Sequence, residues 1–282
     1  ISGGEESILL YDDGIIGWSY QTGDRVQGAV SIINTGSEIL ICAGSRDNSM
    51  YCLDQNGELE FSIATGGWVY TSPSAVDIDT GVAIFFGSDD GLIYAVDTDG
   101  TSLMGWPINT GSKVVGSIAF ADVDGDQEPE VVSSNEDGYV LVYHLDGTSV
   151  AYFPILNPLA LTGSPHIADT DNDGDLEVLV GSMNELVGMD IKTSGSADGY
   201  WSTHRSNKRR NGYFMSTHQP ECTIGDVNDS GVIDILDIMQ TVAIVLATIT
   251  PDGIQSCAAD ANANDVIDIL DIMVIVNIIL FN

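Results

Sequence analysis

GSDDGLIYAVDTDG, residues 87–100, joins a Gly-Ser-acid turn, a short apolar run containing an aromatic, and an Asp-Gly turn. Short apolar runs bounded by such residues read as β-strands, because Gly and Asp reach the backbone conformations that a tight reversal needs. The stretch recurs. GSRDNSMYCLDQNG at 44–57, SSNEDGYVLVYHLDG at 133–147 and GSMNELVGMDIKTSG at 181–195 align with it at a period of about 43 to 48 residues. Each period holds the same order: a strand, an Asp/Gly turn, a second strand, then two more strands joined by a loop. YDDGIIGWSYQTG, residues 11–23, reads as the second half of a further unit, giving four full units and a partial one.

A repeat of that length matches one four-stranded blade of a β-propeller. Blades left in an open stack expose sheet edges and apolar faces, so propellers close into rings or end in caps. With this count, either the ring is small or blades are missing at the N-terminus. Ile1, with no initiator Met and no signal-peptide pattern, points to a mature form or a fragment. The expected fold is mainly β: a propeller of about four to five blades over residues 1–214, a linker at 215–221, and a small helical domain at 222–282.

The 282 residues are 44% hydrophobic and include 42 acidic against 8 basic side chains, a formal net charge of −34. Such a field repels a phosphate backbone and an anionic membrane surface, which argues against nucleic acid as a partner. No apolar run reaches the roughly 18 residues of a membrane helix, and IMVIVNIILF near the C-terminus is too short. Half of the basic residues, Arg205, Lys208, Arg209 and Arg210, fall within HRSNKRR. The acids serve either solubility or metal ligation, and their positions decide.

Two acid clusters lie between the third and fourth strands of their units, in ADVDGDQEPEVV and ADTDNDGDLEVLV. Asp122, Asp124, Asp126 and Glu130 take positions 1, 3, 5 and 9 of the first loop, and Asp169, Asp171, Asp173 and Glu177 those of the second. Glu128 and Asp175 add further oxygens. Alternate carboxylates in a tight turn converge on one point and repel one another unless a hard cation joins them. Calcium is expected, because the stretch offers no His or Cys for a softer metal. The alternative is an acidic surface turn. VDIDTGVAIFF, residues 76–86, keeps Asp77 and Asp79 but lacks the other ligands and is expected to bind nothing.

The chain changes character after about residue 214, where apolar residues take helical spacing. VIDILDIM occurs unchanged at 232–239 and at 266–273. Extended backwards, the first copy places Asp226, Asn228, Ser230, the Val232 carbonyl, Asp234 and Asp237 at positions 1, 3, 5, 7, 9 and 12 of an EF-hand-like loop. The second places Asp260, Asn262, Asn264, Val266, Asp268 and Asp271 there. A 34-residue period also suits a tetratricopeptide repeat, but the aromatic and small-residue pattern of that repeat is missing. HQPECTI and PDGIQSCA ahead of the loops are poor helices, so each unit reads as a loop followed by one helix.

The blade repeats, with GWPI after the second strand and SIAFADVDGDQEPEVVSS beyond, resemble the FG-GAP and PQQ-like families of β-propeller over roughly residues 5–214. GYWSTHRSNKRRNGYF resembles the Trp, basic, Gly-Tyr segment that flanks such propellers. The resemblance implies structural ions that brace blades. The paired loop–helix units resemble dockerin modules over about 222–281, which implies two further calcium ions and calcium-dependent binding to a cohesin domain. It also places partner contacts at Ile235 and Leu236, matched by Ile269 and Leu270, and further along at Val242 and Ala243, matched by Val276 and Asn277. Some of these are alternatively core, position 10 (Ile235, Ile269) more than position 11. Cys222 and Cys257 stand at comparable places ahead of the two loops, and Cys42 and Cys52 on one hairpin. Two disulfides, and hence an extracellular location, are expected over buried free thiols.

In the sequence none of His144, His166, His204 and His218 forms a convincing pair with a Ser or Cys nucleophile, and no catalytic or organic-cofactor residue is assigned. Trp18, Trp68, Trp106 and Trp201 serve either blade packing or a sugar-stacking platform. The expectation is a secreted calcium-binding interaction protein, docked to a cohesin-bearing partner and possibly meeting polysaccharide. The alternative is a dockerin-borne polysaccharide lyase or glycoside hydrolase with a catalytic propeller.

Overall fold

The structure is a computed structural model and describes residues 2–4, 6–12, 15–207, 209–217, 222–228, 230–246, 248–249, 251, 253–262 and 266–281. Two compact units result: Ile1–Asn34 with Ile39–Met215, and Ser216–Asn282 with Thr35–Glu38. Met215, assigned to the linker by sequence, is the last residue of a strand in the first unit. Residues 218–221 of that linker lie outside the described residues.

The first unit is five sheets in chain order. Sheet 1 holds β1 (Ser2–Gly3), β2 (Ser7–Asp12) and β3 (Ile15–Gln21). Sheet 2 holds β4 (Ser31–Asn34), β5 (Ile39–Gly44), β6 (Ser49–Leu53) and β7 (Leu59–Ala64). Sheet 3 follows with β8 (Ser74–Ile78), β9 (Gly81–Gly87), β10 (Leu92–Val96) and β11 (Ile108–Asn109). Sheet 4 comprises β12 (Ala119–Ala121), β13 (Glu130–Ser134), β14 (Tyr139–Tyr143) and β15 (Ile155–Leu156). Sheet 5 has β16 (His166–Ala168), β17 (Asp175–Gly181) and β18 (Leu186–Ser194). Consecutive strands pair antiparallel within every sheet. The sequence units are offset from the sheets: the acid loops join the first and second strands of sheets 4 and 5, not the third and fourth.

Burial follows the alternation expected of strands. The central strands β5, β9 and β13 are buried almost throughout, whereas β3, β7 and β18 alternate toward solvent. Successive sheets share core. Ile8, Val26 and Leu53 belong to a cluster spanning sheets 1 and 2, Phe85 and Trp106 to one spanning sheets 2 to 4, and Val132 with Val178 to one spanning sheets 4 and 5. Among the described residues no such cluster joins sheet 5 to sheet 1. Gly57 and Gly100, at φ +85° and +80°, show why the Asp-Gly turns keep glycine. A Cβ on Gly57 would meet the Trp18 ring at 2.5 Å, and one on Gly100 the Phe61 ring at 2.7 Å, so a side chain there would be strained and would displace the aromatic of the preceding sheet.

A second clamp repeats between sheets. The Asp47 carboxylate accepts Gly23 N–H at 2.6 Å and the Tyr51 hydroxyl at 2.8 Å; Asp90 does the same for Gly66 N–H and Tyr94 at 2.7 Å each. Past β18 the chain returns along the first strands of earlier sheets. Ser196 bridges to Asp122, Phe120 N–H donates to the Trp201 carbonyl and Ile167 N–H to that of Ser202. β19 (Tyr213–Met215) then pairs parallel with β4. This segment covers edge groups that would otherwise be left unpaired.

In the second unit, α1 (Ile235–Val245), α2 (Gly253–Ala259) and α3 (Ile269–Phe281) surround a small core of Val227, Ala258, Ala259 and Ile275. The short α2 corrects the reading of PDGIQSCA as non-helical: it buries Ala258 and Ala259 and carries Cys257 into a disulfide with Cys222. Cys42 and Cys52 face each other directly across β5 and β6 and form the other disulfide.

Candidate metal centres and docking surface

The loop from Asp226 to Asp237 folds around its first and last carboxylates. Asp226 accepts Ser230 N–H at 2.9 Å and Gly231 N–H at 2.7 Å, and Asp237 accepts Asn228 N–H at 3.0 Å and Asp234 N–H at 2.8 Å. In the second loop Asp271 accepts Asn262 N–H at 3.1 Å and Asp268 N–H at 2.8 Å. Asp234 and Asp268, at position 9, also cap the helices, each accepting the N–H of Leu236 or Leu270 at 2.7 Å. Ser230 donates its hydroxyl to the Val232 carbonyl at 3.1 Å. Asp260 and Val266 hold positions 1 and 7 of the second loop; Asn264, its expected position-5 ligand, lies outside the described residues.

These residues fit a hard dication. Asp237 and Asp271 are fully buried, and Asp226 nearly so. Residues 216–282 contain ten acidic side chains and no Lys or Arg, so no side-chain cation of that unit opposes them. The Oδ1 atoms of Asn228 and Asn262 are buried without a hydrogen-bond partner, a condition that costs about 1–3 kcal/mol per group unless a ligand completes it. Carboxylate, amide and backbone carbonyl oxygens are the donors calcium takes, and a bound ion there would neutralise the loop and tie it to the start of the following helix.

In the first unit, oxygens of Asp124, Asp126 and Glu130 lie with a ring nitrogen of His144 within 4.8 Å of one another, and those of Asp171, Asp173, Asp175 and Glu177 form a second such group. Asp124 Oδ1, Asp175 Oδ1 and Glu177 Oε1 are buried without partners. Asp122 and Asp169, the position-1 residues, stand outside these groups and fold the loops. Asp122 accepts the N–H of Gly125 and Gln127 at 2.7 and 3.2 Å, and Asp169 those of Asn172 and Gly174 at 2.6 and 3.2 Å. Glu128 is exposed and outside the cluster. Asp77 and Asp79 join no such group among the described residues.

The electrostatics of the two loops differ. Glu130 is fully buried, and burial together with Asp124 and Asp126 pushes its carboxyl up to about 7. In the other loop, burial and then Asp173 and Glu177 raise Asp171, while Asp175 is raised chiefly by its hydrogen bond with Asp173, which is itself lowered by that bond. Lys192 reaches Asp173 and Asp175 at 3.5 Å and contacts Asp190 more closely. His144 corrects the expectation that this chemistry lacks histidine. It lies 14 residues beyond Glu130, and only the pairing of β13 with β14 brings the two together.

The tryptophans divide. Trp18 donates its indole N–H to the Gln55 carbonyl at 3.0 Å and Trp106 to that of Leu145 at 2.8 Å, each reaching a turn of the following sheet, and Trp201 is buried. These three pack sheets. Trp68 is 39% exposed, with the Arg46 guanidinium 4.0 Å above its ring and Tyr70 edge-on. An open cleft of about 590 Å³ lies beside the sheet 5 loop, lined by His166, Asp169, Asp198, Ser202 and Thr203 among others.

In the octapeptide copies the inward residues are Ile233 and Ile238, matched by Ile267. Position 10 does not pack inward: Ile235 is 68% and Ile269 66% exposed. Leu236, Met239, Leu246 and, in the second copy, Leu270, Met273 and Leu280 are exposed with them. Val242, Ala243 and Val276 are half-buried and Asn277 is exposed. Met239 and Met273 were not singled out from the sequence, although their spacing of three from Leu236 and Leu270 puts them on the same helix face.

Repeated antiparallel sheets with acid loops, followed by paired loop–helix calcium motifs, define a propeller-type region joined to a docking module. Residues 122–180 match the family described as FG-GAP-like repeat, and residues 224–280 match the dockerin type I domain. The chain thus carries an FG-GAP-like repeat region and a C-terminal dockerin type I domain. No curated protein matches it. Among solved structures, BamB from Moraxella catarrhalis is similar at 18% identity and a TM-score of 0.50, over 67% of this chain and 54% of that one. The WD40 β-propeller domain of Doa1 has 17% identity and a TM-score of 0.48, over 67% and 59%. The chain therefore spans little more than half the length of these structures, and the likeness to BamB shows a fold of propeller type. Dockerin domains bind calcium, and a type I dockerin implies docking to a cohesin-bearing scaffold. Such modules occur on extracellular cellulosome components, a location the two disulfides fit. No helix among the described residues is long and apolar enough to cross a membrane.

Proposed function

We propose that this chain is a secreted, non-catalytic interaction protein in which calcium sets the two loop–helix motifs and their exposed helix starts bind a cohesin, carrying the propeller to a scaffold or cell surface. The observation that carries this reading is the pairing of buried acid loops, in a unit without Lys or Arg, with exposed aliphatics on each following helix. The position-12 carboxylates of Asp237 and Asp271 accept the backbone N–H of the position-3 residues Asn228 and Asn262, which links loop to helix in the same way in both copies. The two propeller loops hold structural cations, about two in all, and the exposed Trp68 or the polar cleft offers the propeller a surface for polysaccharide.

The test is calorimetry of the full chain against a type I cohesin in calcium and in chelator. Binding in calcium that disappears in chelator supports the reading. Calcium-independent binding, or none to any cohesin, overturns it. Cleavage of a polysaccharide by the chain, lost on changing one carboxylate outside the metal loops, would replace the non-catalytic assignment with the enzymatic one.

A further inference from the structure

Cross-strand pairing sets different residues against the last glutamate of each propeller loop. In sheet 5 Glu177 stands opposite Asp190, and the like-charge pair is offset by Lys192, which contacts Asp190. In sheet 4 the last pair of the β13–β14 ladder is Val131 with Tyr143, and the next residue, His144, turns Nδ1 to 3.3 Å from Glu130 Oε1. The residues that likewise follow β6 and β10 are Asp54 and Asp97. Each holds its turn by accepting N–H groups two and four residues on, Asn56 and Glu58 for Asp54, Asp99 and Thr101 for Asp97. In sheet 4 Asp146 supports the turn instead, accepting Thr148 N–H at 2.8 Å. Turn formation therefore does not call for a histidine at 144. It stands where sheets 2 and 3 have aspartate, beside an acid loop that no lysine contacts among the described residues.

We propose that Asp124, Asp126, Glu130 and His144 form a mixed oxygen–nitrogen site for a borderline first-row divalent cation such as Zn²⁺, distinct in preference from the all-oxygen loops. One donor atom from each residue lies within 4.8 Å of the others, and side-chain rotations drawing them inward would bring all four to metal–ligand distances of about 2.0–2.2 Å. Hard cations gain little from an imidazole, whereas Zn²⁺ gains much, so one nitrogen shifts preference at an otherwise carboxylate site. Asp124 Oδ1 is buried without a partner and Glu130 is fully buried, while the His144 side chain is 34% exposed, which leaves a route for the ion. Sheet 5 offers no equivalent nitrogen, because the Lys192 ammonium is a counter-charge and not a ligand.

The inference rests on the reading that the sheet 4 loop holds a cation. Its test uses the full chain dialysed against Zn²⁺ in about 5 mM calcium, an excess that fills oxygen-only loops, with bound zinc measured by atomic absorption and calorimetry. The wild-type chain should retain about one zinc. His144→Ala should bind it at least about tenfold more weakly, losing a ligand worth more than about 1.4 kcal/mol. His144→Asp, which restores the residue type of sheets 2 and 3, should lose zinc but keep calcium; Asp173→Asn, in the sheet 5 loop, should lower calcium binding there and leave zinc binding unchanged. Circular dichroism in calcium checks folding, and if His144→Ala fails to fold, His144→Asp decides. Zinc binding unchanged in the His144 variants, or no zinc retained by the wild type, overturns the proposal. Calcium stoichiometry without zinc separates the two readings. A drop of one on Asp126→Asn with no zinc effect refutes only the nitrogen ligand, while no change in either cation refutes the loop as a site.

Discussion

The dockerin loops and the propeller loops are both duplicated acid turns, yet the copies have fared differently. In the dockerin the octapeptide repeats without a change, and its position-12 aspartates accept the same two N–H groups in each copy. In the propeller the loops share spacing but face different neighbours, His144 in one and Asp190 with Lys192 in the other. The identical octapeptides present two alike sets of exposed aliphatics; divergence across a ladder gives each propeller loop its own neighbours. The contrast also concerns stability. A module of some sixty residues buries little and leans on ions and a disulfide, whereas each propeller loop is braced by sheets that share large cores.

The sharpest way to break the comparison is through interchangeability. Leu236→Ala with Leu270→Ala should lower cohesin affinity by about 100-fold or more, while either alone changes it by less than about threefold, as expected when either apolar anchor can serve. Calorimetry that finds one single variant as damaging as the double would show that only one face binds. Next in size is the staple. Cys222→Ser with Cys257→Ser opens a loop of 35 residues, worth about 4 kcal/mol in the chain-entropy model. The dockerin's thermal midpoint should fall well below that of the propeller, while Cys42→Ser with Cys52→Ser, across a separation of 10, should cost about 3 kcal/mol.

A smaller effect distinguishes the propeller loops by pH. Glu130 in the folded chain is pushed up to about 7 from an ordinary 4.5, mainly by burial. With cations removed, its proton favours the folded state, so its contribution is complete below the unfolded value and is lost as pH rises through about 7. The thermal midpoint of the propeller in chelator should therefore decline from pH 5 to pH 8 (roughly the span of the shift), and saturating cation should reverse the trend. A flat profile in chelator would remove the electrostatic distinction. Smallest is Lys192→Met. Removing an exposed ammonium from beside Asp173 and Asp175 should raise calcium affinity at the sheet 5 loop by about two- to fivefold, measured by competition with a fluorescent chelator, and leave sheet 4 unchanged.

Much of this was legible in the residues because it is local. The blade period, the positions 1, 3, 5, 9 and 12 of the acid loops, the helical phase after each octapeptide and the pairing of four cysteines all depend on neighbours a few residues apart or on exact repetition. Two inter-sheet clamps were legible in principle: Gly23 and Gly66, each in a Thr-Gly pair, meet Asp47 and Asp90 at a constant separation of 24. The helix before the second dockerin loop was missed because its residues are weak formers held by burial of Ala258 and Ala259. Position 10 of the octapeptide was undecided because a helix start presents several aliphatics, and only the core shows which turn inward.

By itself, the sequence determined a repeated β region with acid loops, a duplicated calcium module and their chemistry of oxygen donors, since ligand type and spacing are covalent facts. Only the tertiary structure decided that His144 faces Glu130, that Lys192 faces the other loop, that β19 returns to pair with β4, and that Ile235 and Ile269 look outward. Those contacts depend on strand register and on which surfaces bury one another, and no short stretch of chain carries that information.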